Sequence, residues 1–218
     1  VEEPTIEAEG ARDPPSSQQG GAGGEEAEPV SVMLTERWQI LAGAFETILN
    51  ETPGRDLAGT AETPERCARA WLELTAGYDV DVTELLKTFD ADGYDQMIVV
   101  SPIPVTSLCE HHLLPFVGQA HVVYVPTGRI VGLSKIPRVV EAFARRLQVQ
   151  ERLTNQVADA IEKHLDPLGV MVVVDAEHSC ATLRGVRKPG LRMKTSAVRG
   201  LLKEDEKARA EALALIGY

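Results

Sequence analysis

Three cysteines in 218 residues are too few, and odd in number, for a disulfide framework, so a reducing compartment is expected. No stretch approaches the roughly 18 consecutive apolar residues that a membrane-spanning helix needs. The first residues show no basic start followed by an apolar run, so a secretory signal is not expected. Together with a hydrophobic fraction of 44%, enough for a core, these absences point to a soluble, cytoplasmic protein without a membrane partner. A basic excess is lacking too: the formal charge is −11, which gives no reason to expect nucleic acid as a partner. That charge is uneven, because residues 1–30 hold eight acidic residues and one basic, leaving −4 for residues 31–218. Missing as well are a G-x-x-x-x-G-K-[ST] loop and a strand–G-x-G-x-x-G–helix unit, so any phosphate would be held by side chains rather than by a glycine cradle. The H-x-E and P-C-x-x-C signatures of nucleobase deaminases are absent, and there is no internal repeat.

What is present divides into three stretches. Residues 1–30 are rich in Glu, Pro, Gly and Ser and carry too little apolar surface to offset the entropy of ordering, so a disordered acidic tail is expected. Residues 31–92 read as a helical region. Leu34, Trp38, Ile40, Leu41, Phe45 and Ile48 recur at helical spacing, Thr63-Pro64-Glu65-Arg66 opens a second helix with Thr63 as its cap, and a short helix is expected over 82–88. Residues 93–218 turn β-rich. Strands are expected over 97–100, 116–125, 129–133, 170–174, 181–186 and 193–198, with a hairpin at Pro126-Thr127-Gly128. In the second of these, His121 and Val123 alternate with Val122 and Tyr124 as in a half-buried strand. Helices are expected over 136–146, 150–165 and 203–216. Helices at both ends of an antiparallel β-rich middle indicate an α+β fold.

The chemistry concentrates in two short segments. Cys109-Glu110-His111-His112 and His178-Ser179-Cys180 contain two of the three cysteines and three of the five histidines. Thiolate and imidazole are ligands that zinc prefers, and Cys109 with His112 has the gap to grip one ion. Cys180 makes three protein ligands and leaves a fourth tetrahedral position for water, the pattern of a catalytic rather than a structural site. Two buried cysteines packed as small hydrophobes are the competing reading, and it leaves the flanking histidines unexplained. His111 and His178 each stand beside a ligand, where acid–base groups are useful. Cys67 has no ligand type nearby and reads as core; His121 and His164 read as structural or surface residues.

Several basic residues have the makings of a polyphosphate clamp: Arg66 in a first helical turn, Lys135 (after Ser134) and Arg138 where a strand gives way to a helix, and Arg184 on the expected strand after Cys180. Solvated surface charge is the alternative for any one of them. Glu151 opens a helix; as a carboxylate facing a guanine edge it would accept both the ring N–H and the exocyclic amine.

Four segments, in order and with their gaps, resemble GTP cyclohydrolase I: Ser107-Leu108-Cys109-Glu110-His111-His112, Gly132-Leu133-Ser134-Lys135, Gln148-Val149-Gln150-Glu151-Arg152-Leu153-Thr154, and His178-Ser179-Cys180 with Arg184-Gly185-Val186. The similarity runs from about Thr63 to Gly200. It implies the tunnelling fold (T-fold), an antiparallel sheet with helices packed on one side whose strands pool into an oligomeric barrel, usually a homodecamer with active sites between subunits. It implies GTP as substrate, Zn2+ on Cys109, His112 and Cys180, acid–base roles for His111 and His178, guanine recognition by Glu151 with Gln150, and triphosphate contacts from Arg66, Ser134, Lys135, Arg138 and Arg184. Leu147 stands where the family usually has Pro, which loosens the expected start of the helix carrying Glu151. A non-catalytic homologue that binds nucleotide or pterin and regulates a partner is the alternative, and the intact histidines and ligands argue against it.

Overall fold

A computed structural model of the chain describes residues 30–54, 56 and 58–218; the expected disordered tail falls, except for Val30, outside the described residues. The chain divides into two units, residues 1–37 and 38–218. Of the first, residues 30–37 are described and belong to helix α1 (Val30–Asn50). The rest concerns the second unit.

Helix α2 (Thr63–Leu74) takes Glu62 as its cap, so Thr63 is already helical, and Pro64 fills the early position where a missing N–H costs nothing. A 3-10 turn (Ala76–Asp79) leads to α3 (Val82–Leu85), shorter than expected because residues 88–90 become a strand, β1 (Thr88–Asp90). The main sheet follows: β2 (Ile98–Cys109), β3 (Pro115–Val125), β5 (Leu147–Gln148), β6 (Gly169–His178) and β7 (Arg192–Gly200), in the order β5-β2-β3-β6-β7. Every pairing is antiparallel except β5 on β2. The short β4 (Arg129–Val131) pairs with β1 and not with β3, which corrects the expected hairpin. The end of β3 is already taken, since Val125 pairs with Gly169 and its carbonyl accepts the N–H of Leu168 at 2.8 Å.

Helices α4 (Lys135–Ala144) and α5 (Gln150–Leu165) lie on one face of this sheet. Their apolar residues recur at three- and four-residue steps (Ile136, Val139, Val140; Leu153, Val157, Ile161) and pack with Val122, Tyr124, Val170, Val172 and Val174. Each such side chain, fully buried, contributes roughly 1.5–3 kcal/mol. The alternate residues Val123, Met171 and Val173 face Leu202 of α7 (Leu201–Glu204) and Ala212 of α8 (Glu206–Leu215). Residues 120–125 of β3 are therefore buried on both faces, not on one. The single closing helix expected over 203–216 is broken at Asp205, whose carboxylate accepts from the N–H groups of Lys207 (2.7 Å) and Ala208 (3.2 Å) and caps α8.

At Gly118 the strands β3 and β6 come closer than a side chain permits: a Cβ there would lie 2.0 Å from the Asp175 carbonyl oxygen. The expected strand over 181–186 is not formed. The chain after β6 makes one helical turn, α6 (Ser179–Thr182), then a loop in which Gly185 and Arg187 have positive φ (65° and 49°). Leu183 and Val186 are exposed, so the apolar residues of this segment have no buried face to occupy. No helix among the described residues is long and apolar enough to cross a membrane.

Candidate functional site

The first two candidate ligands sit on one tight turn. Cys109 ends β2, and its carbonyl accepts the N–H of Leu113 at 2.8 Å while its own N–H donates to the Leu114 carbonyl at 2.9 Å. Leu113 adopts a positive φ of 55° to allow this reversal into β3. The turn folds His112 back so that its Nδ1 lies 3.6 Å from Cys109 Sγ. Cys180 arrives from the other side of β3, on α6, because the β3–β6 ladder runs to Phe116 opposite His178. One ligand atom from each of Cys109, His112 and Cys180 lies within 4.8 Å of the others. Cys109 is buried, Cys180 half-buried and His112 exposed, so the group is open on one side.

These donors fit a metal ion. Two sulfurs and one imidazole nitrogen are a soft set suited to a borderline cation. The Cys180 thiol is pushed up by burial and then by the neighbouring Cys109, so two thiolates here repel one another unless a cation sits between them.

The two remaining histidines are placed differently. His111 is exposed, with Nδ1 4.0 Å from Cys109 Sγ and Nε2 3.8 Å from a carboxylate oxygen of Glu110. His178 stacks on the fully buried Phe116 ring (centroids 4.6 Å apart, planes 10° apart) and shares a 2.9 Å hydrogen bond between its Nε2 and Gln150 Oε1. Burial pushes the His178 pKa down, and the negative charge of Glu151 pulls it partly back. Glu151 itself is exposed at the start of α5.

Gln150 is enclosed by the sheet. It is 1% exposed, and its amide nitrogen donates to Val174 O (3.0 Å), Met193 O (2.9 Å) and Thr195 Oγ1 (3.1 Å). Within one chain its carboxamide is taken up by these contacts and by His178. Arg184 is not on a strand; its guanidinium donates to the Cys180 carbonyl at 3.1 Å, beside the ligand group. Arg66 is exposed and paired with Glu62 at 2.6 Å. Ser134 precedes α4, with Lys135 and Arg138 in its first turns. Among the described residues no hydrogen bond or ion pair joins Arg66, Ser134, Lys135 or Arg138 to the ligand group.

Leu147 lies in β5. It pairs with Leu108, and its N–H, which a proline would lack, donates to the Tyr78 hydroxyl at 3.2 Å. Sequence reasoning passed over Phe116, Thr154, Thr195 and the pair Glu110–Arg152. Arg152 donates to Glu110, to Gln148 Oε1 (3.0 Å) and to the Leu147 carbonyl (2.9 Å), and holds the Glu110 carboxyl below its usual range. Both residues lay inside the quoted segments, but only their contact marks them.

Comparison with known proteins bears on the same residues. A sequence-family model described as GTP cyclohydrolase I matches residues 41–217. The GTP cyclohydrolase 1 of Thermoanaerobacter pseudethanolicus is 51% identical over 169 residues, covering 77% of this chain and 89% of that protein. That of Carboxydothermus hydrogenoformans is 49% identical over 184 residues (84% and 95%), and that of Rhodopirellula baltica 54% over 168 residues (77% and 72%). The matched span takes in β2, β3, β6 and α6, hence every residue of the open Cys–His–Cys group and both histidines beside it: the chain belongs to the GTP cyclohydrolase I family.

Proposed function

We propose that this chain opens the imidazole ring of GTP by hydrolysis, releases C8 as formate and rearranges the remainder to 7,8-dihydroneopterin triphosphate, the first step toward tetrahydrofolate, other pterins or deazaguanines. The observation that carries this reading is the convergence of Cys109, His112 and Cys180 within 4.8 Å, with His178 two residues from the last of them. The two thiolates and the His112 imidazole would hold Zn2+, which supplies the Lewis acidity that makes water nucleophilic near neutral pH.

The chain's own groups account for the rest. The Glu151 carboxylate accepts from the ring N–H and exocyclic amine of guanine and orients C8 toward the ligand group. As water adds to C8, His178 handles the proton that lets the C8–N bond break, with His111 serving the other imidazole-ring nitrogen. A second hydrolysis frees formate; the ribose opens, undergoes an Amadori-type shift and closes on the freed amines with loss of water, so the net uptake is one water. Arg66, Ser134, Lys135, Arg138 and Arg184 hold the triphosphate.

Among the described residues, no hydrogen bond or ion pair joins Arg66, Ser134, Lys135 or Arg138 to the ligand group within one chain, which supports sites shared between copies; the assembly we propose is the homodecamer. Two cavities of about 330 Å³, one around Gly77 and Arg138 and one around Glu110 and Arg152, include neither Cys180 nor His178 in their walls, in keeping with a site that a second copy completes. Residues 93–218 form the catalytic region, with 31–92 as its helical companion. Three free thiols support a reducing, cytoplasmic setting.

The test is incubation of the purified protein with GTP, with and without a chelator, measuring formate and the fluorescence of the oxidised pterin. Chelator-sensitive formation of both products is expected. Their absence from the metal-loaded protein would overturn the reading.

A further inference from the structure

Gln150, the first residue of α5, inserts its carboxamide where β6 and β7 pair Val174 with Thr195. Two of the three groups around its nitrogen, Val174 O and Met193 O, are backbone carbonyls. A carbonyl only accepts, so chemistry decides which end of the amide is which: the NH2 faces the sheet and Oε1 faces His178. Turning the amide over would set its oxygen against both carbonyls in a buried site, leaving three acceptors without a proton among them.

The hydroxyls close the same circuit. Thr154 Oγ1 lies 2.7 Å from the Gln150 backbone carbonyl and 2.6 Å from Thr195 Oγ1. The carbonyl takes the Thr154 proton, so Thr195 donates to Thr154 and accepts from the Gln150 amide. This order leaves no two acceptors facing each other, the two amide hydrogens being shared among three acceptors. Gln150 and Thr154 are each 1% exposed, which keeps water from offering another.

The consequence falls on His178. Its Nε2 is 2.9 Å from an oxygen that has no proton to give, so Nε2 must carry the hydrogen. Phe116, stacked at 4.6 Å, holds the plane of the ring. Nδ1 is then the ring nitrogen without a protein partner among the described residues. From this geometry we infer that Gln150 is a positioning residue: it fixes His178 as its Nε2–H tautomer, leaving Nδ1 to exchange protons with substrate, and it does not itself touch the guanine. The inference rests on the reading of His178 as the proton-handling group; the tautomer is independent of it.

Two measurements on the metal-loaded full chain test this. In the 15N spectrum of histidine-labelled, sedimented wild-type protein, His178, identified by its loss in the His178→Ala variant, should show a protonated Nε2 and an unprotonated Nδ1. The opposite tautomer, or an even mixture, overturns the proposal whatever the activity. In Gln150→Met, which keeps length and removes the hydrogen bonds, kcat should fall at least about 10-fold, up to the ~10²–10⁴-fold that acid–base help supplies. KM for GTP should stay within about two-fold and metal content should be unchanged. A raised KM with normal kcat would make Gln150 a substrate contact; unchanged kinetics would make it mere packing; lost metal would place its effect on the ligands. Each of these overturns the proposal. Should Gln150→Met fail to fold, the wild-type spectrum still decides. Wild-type turnover of GTP in the same assay checks the functional reading separately, so failure of one is not mistaken for failure of the other.

Discussion

Arg152, in the first turn of α5, hydrogen-bonds the carboxylate of Glu110, the residue between Cys109 and His111. The same guanidinium holds Gln148 and Leu147, so the turn bearing two candidate ligands is fastened to the helix bearing Glu151. Second-layer groups of this kind typically alter metal affinity or activity by about 10–100-fold. Arg152→Ala should weaken metal retention by that order, read by competition with a chromophoric chelator, while Arg152→Lys should recover only part because a single ammonium lacks the planar fork that reaches these acceptors from two nitrogens.

His178→Ala and Cys180→Ala separate two kinds of loss. The first removes an acid–base group and no ligand, so formate release should fall by ~10²–10⁴-fold with the metal still bound. The second removes a ligand, and metal content and turnover should vanish together. Elemental analysis beside a formate assay distinguishes them; near-normal formate release by His178→Ala would rule out its assigned role.

Glu151→Gln keeps shape and removes charge. Hydrogen bonds to a charged group contribute about 1.5–3 kcal/mol each, so losing the charge should lower kcat/KM for GTP by roughly 10²-fold or more. Discrimination against ITP, which lacks the exocyclic amine, should shrink in the same variant. Comparing the two substrates side by side is the measurement; an unchanged GTP-to-ITP ratio would mean another group reads the base.

His121 should make the fold acid-sensitive. It lies on β3, 3% exposed, with Nδ1 2.5 Å from Ser101 Oγ, Nε2 buried without a partner, and the Tyr218 ring edge-on at 5.5 Å. Burial pushes its pKa down; Asp175 pulls it up, and Lys194 pushes it down again. The unfolded chain takes up this proton near pH 6.5 and the folded chain only at lower pH, so below about 6.5 the unfolded state binds more protons and stability declines as the pH falls. In His121→Gln the loss of melting temperature between about pH 7.5 and pH 5.5 should be smaller than in the wild type. An identical slope would remove His121 as its source.

The reach of the sequence had physical limits. The Cys109–His112–Cys180 group was legible because few residue types bind soft metals and all three stood in two short segments. The α4 and α5 helices were legible because their apolar residues repeat at a period that packing enforces. The strand expected over 181–186 failed because apolar residues make a strand only where a sheet edge receives them, and Leu183 and Val186 meet solvent. The hairpin at Pro126-Thr127-Gly128 failed because a turn signal does not say which strand takes the returning chain, and β1 did. Gln150 was out of reach: its neighbours Val174, Met193 and Thr195 are 24 to 45 residues away, and their meeting exists only in the folded sheet.

β3 lies between β2 and β6 yet contributes none of the three candidate ligands. A chain emerging N-terminus first therefore offers Cys109 and His112 alone until 68 more residues have been made and β6 has docked. Two donors hold an ion less firmly than three fixed across a sheet. The finished site is thus a late product of synthesis, and a metal ion caught early has little to hold it until the sheet is complete.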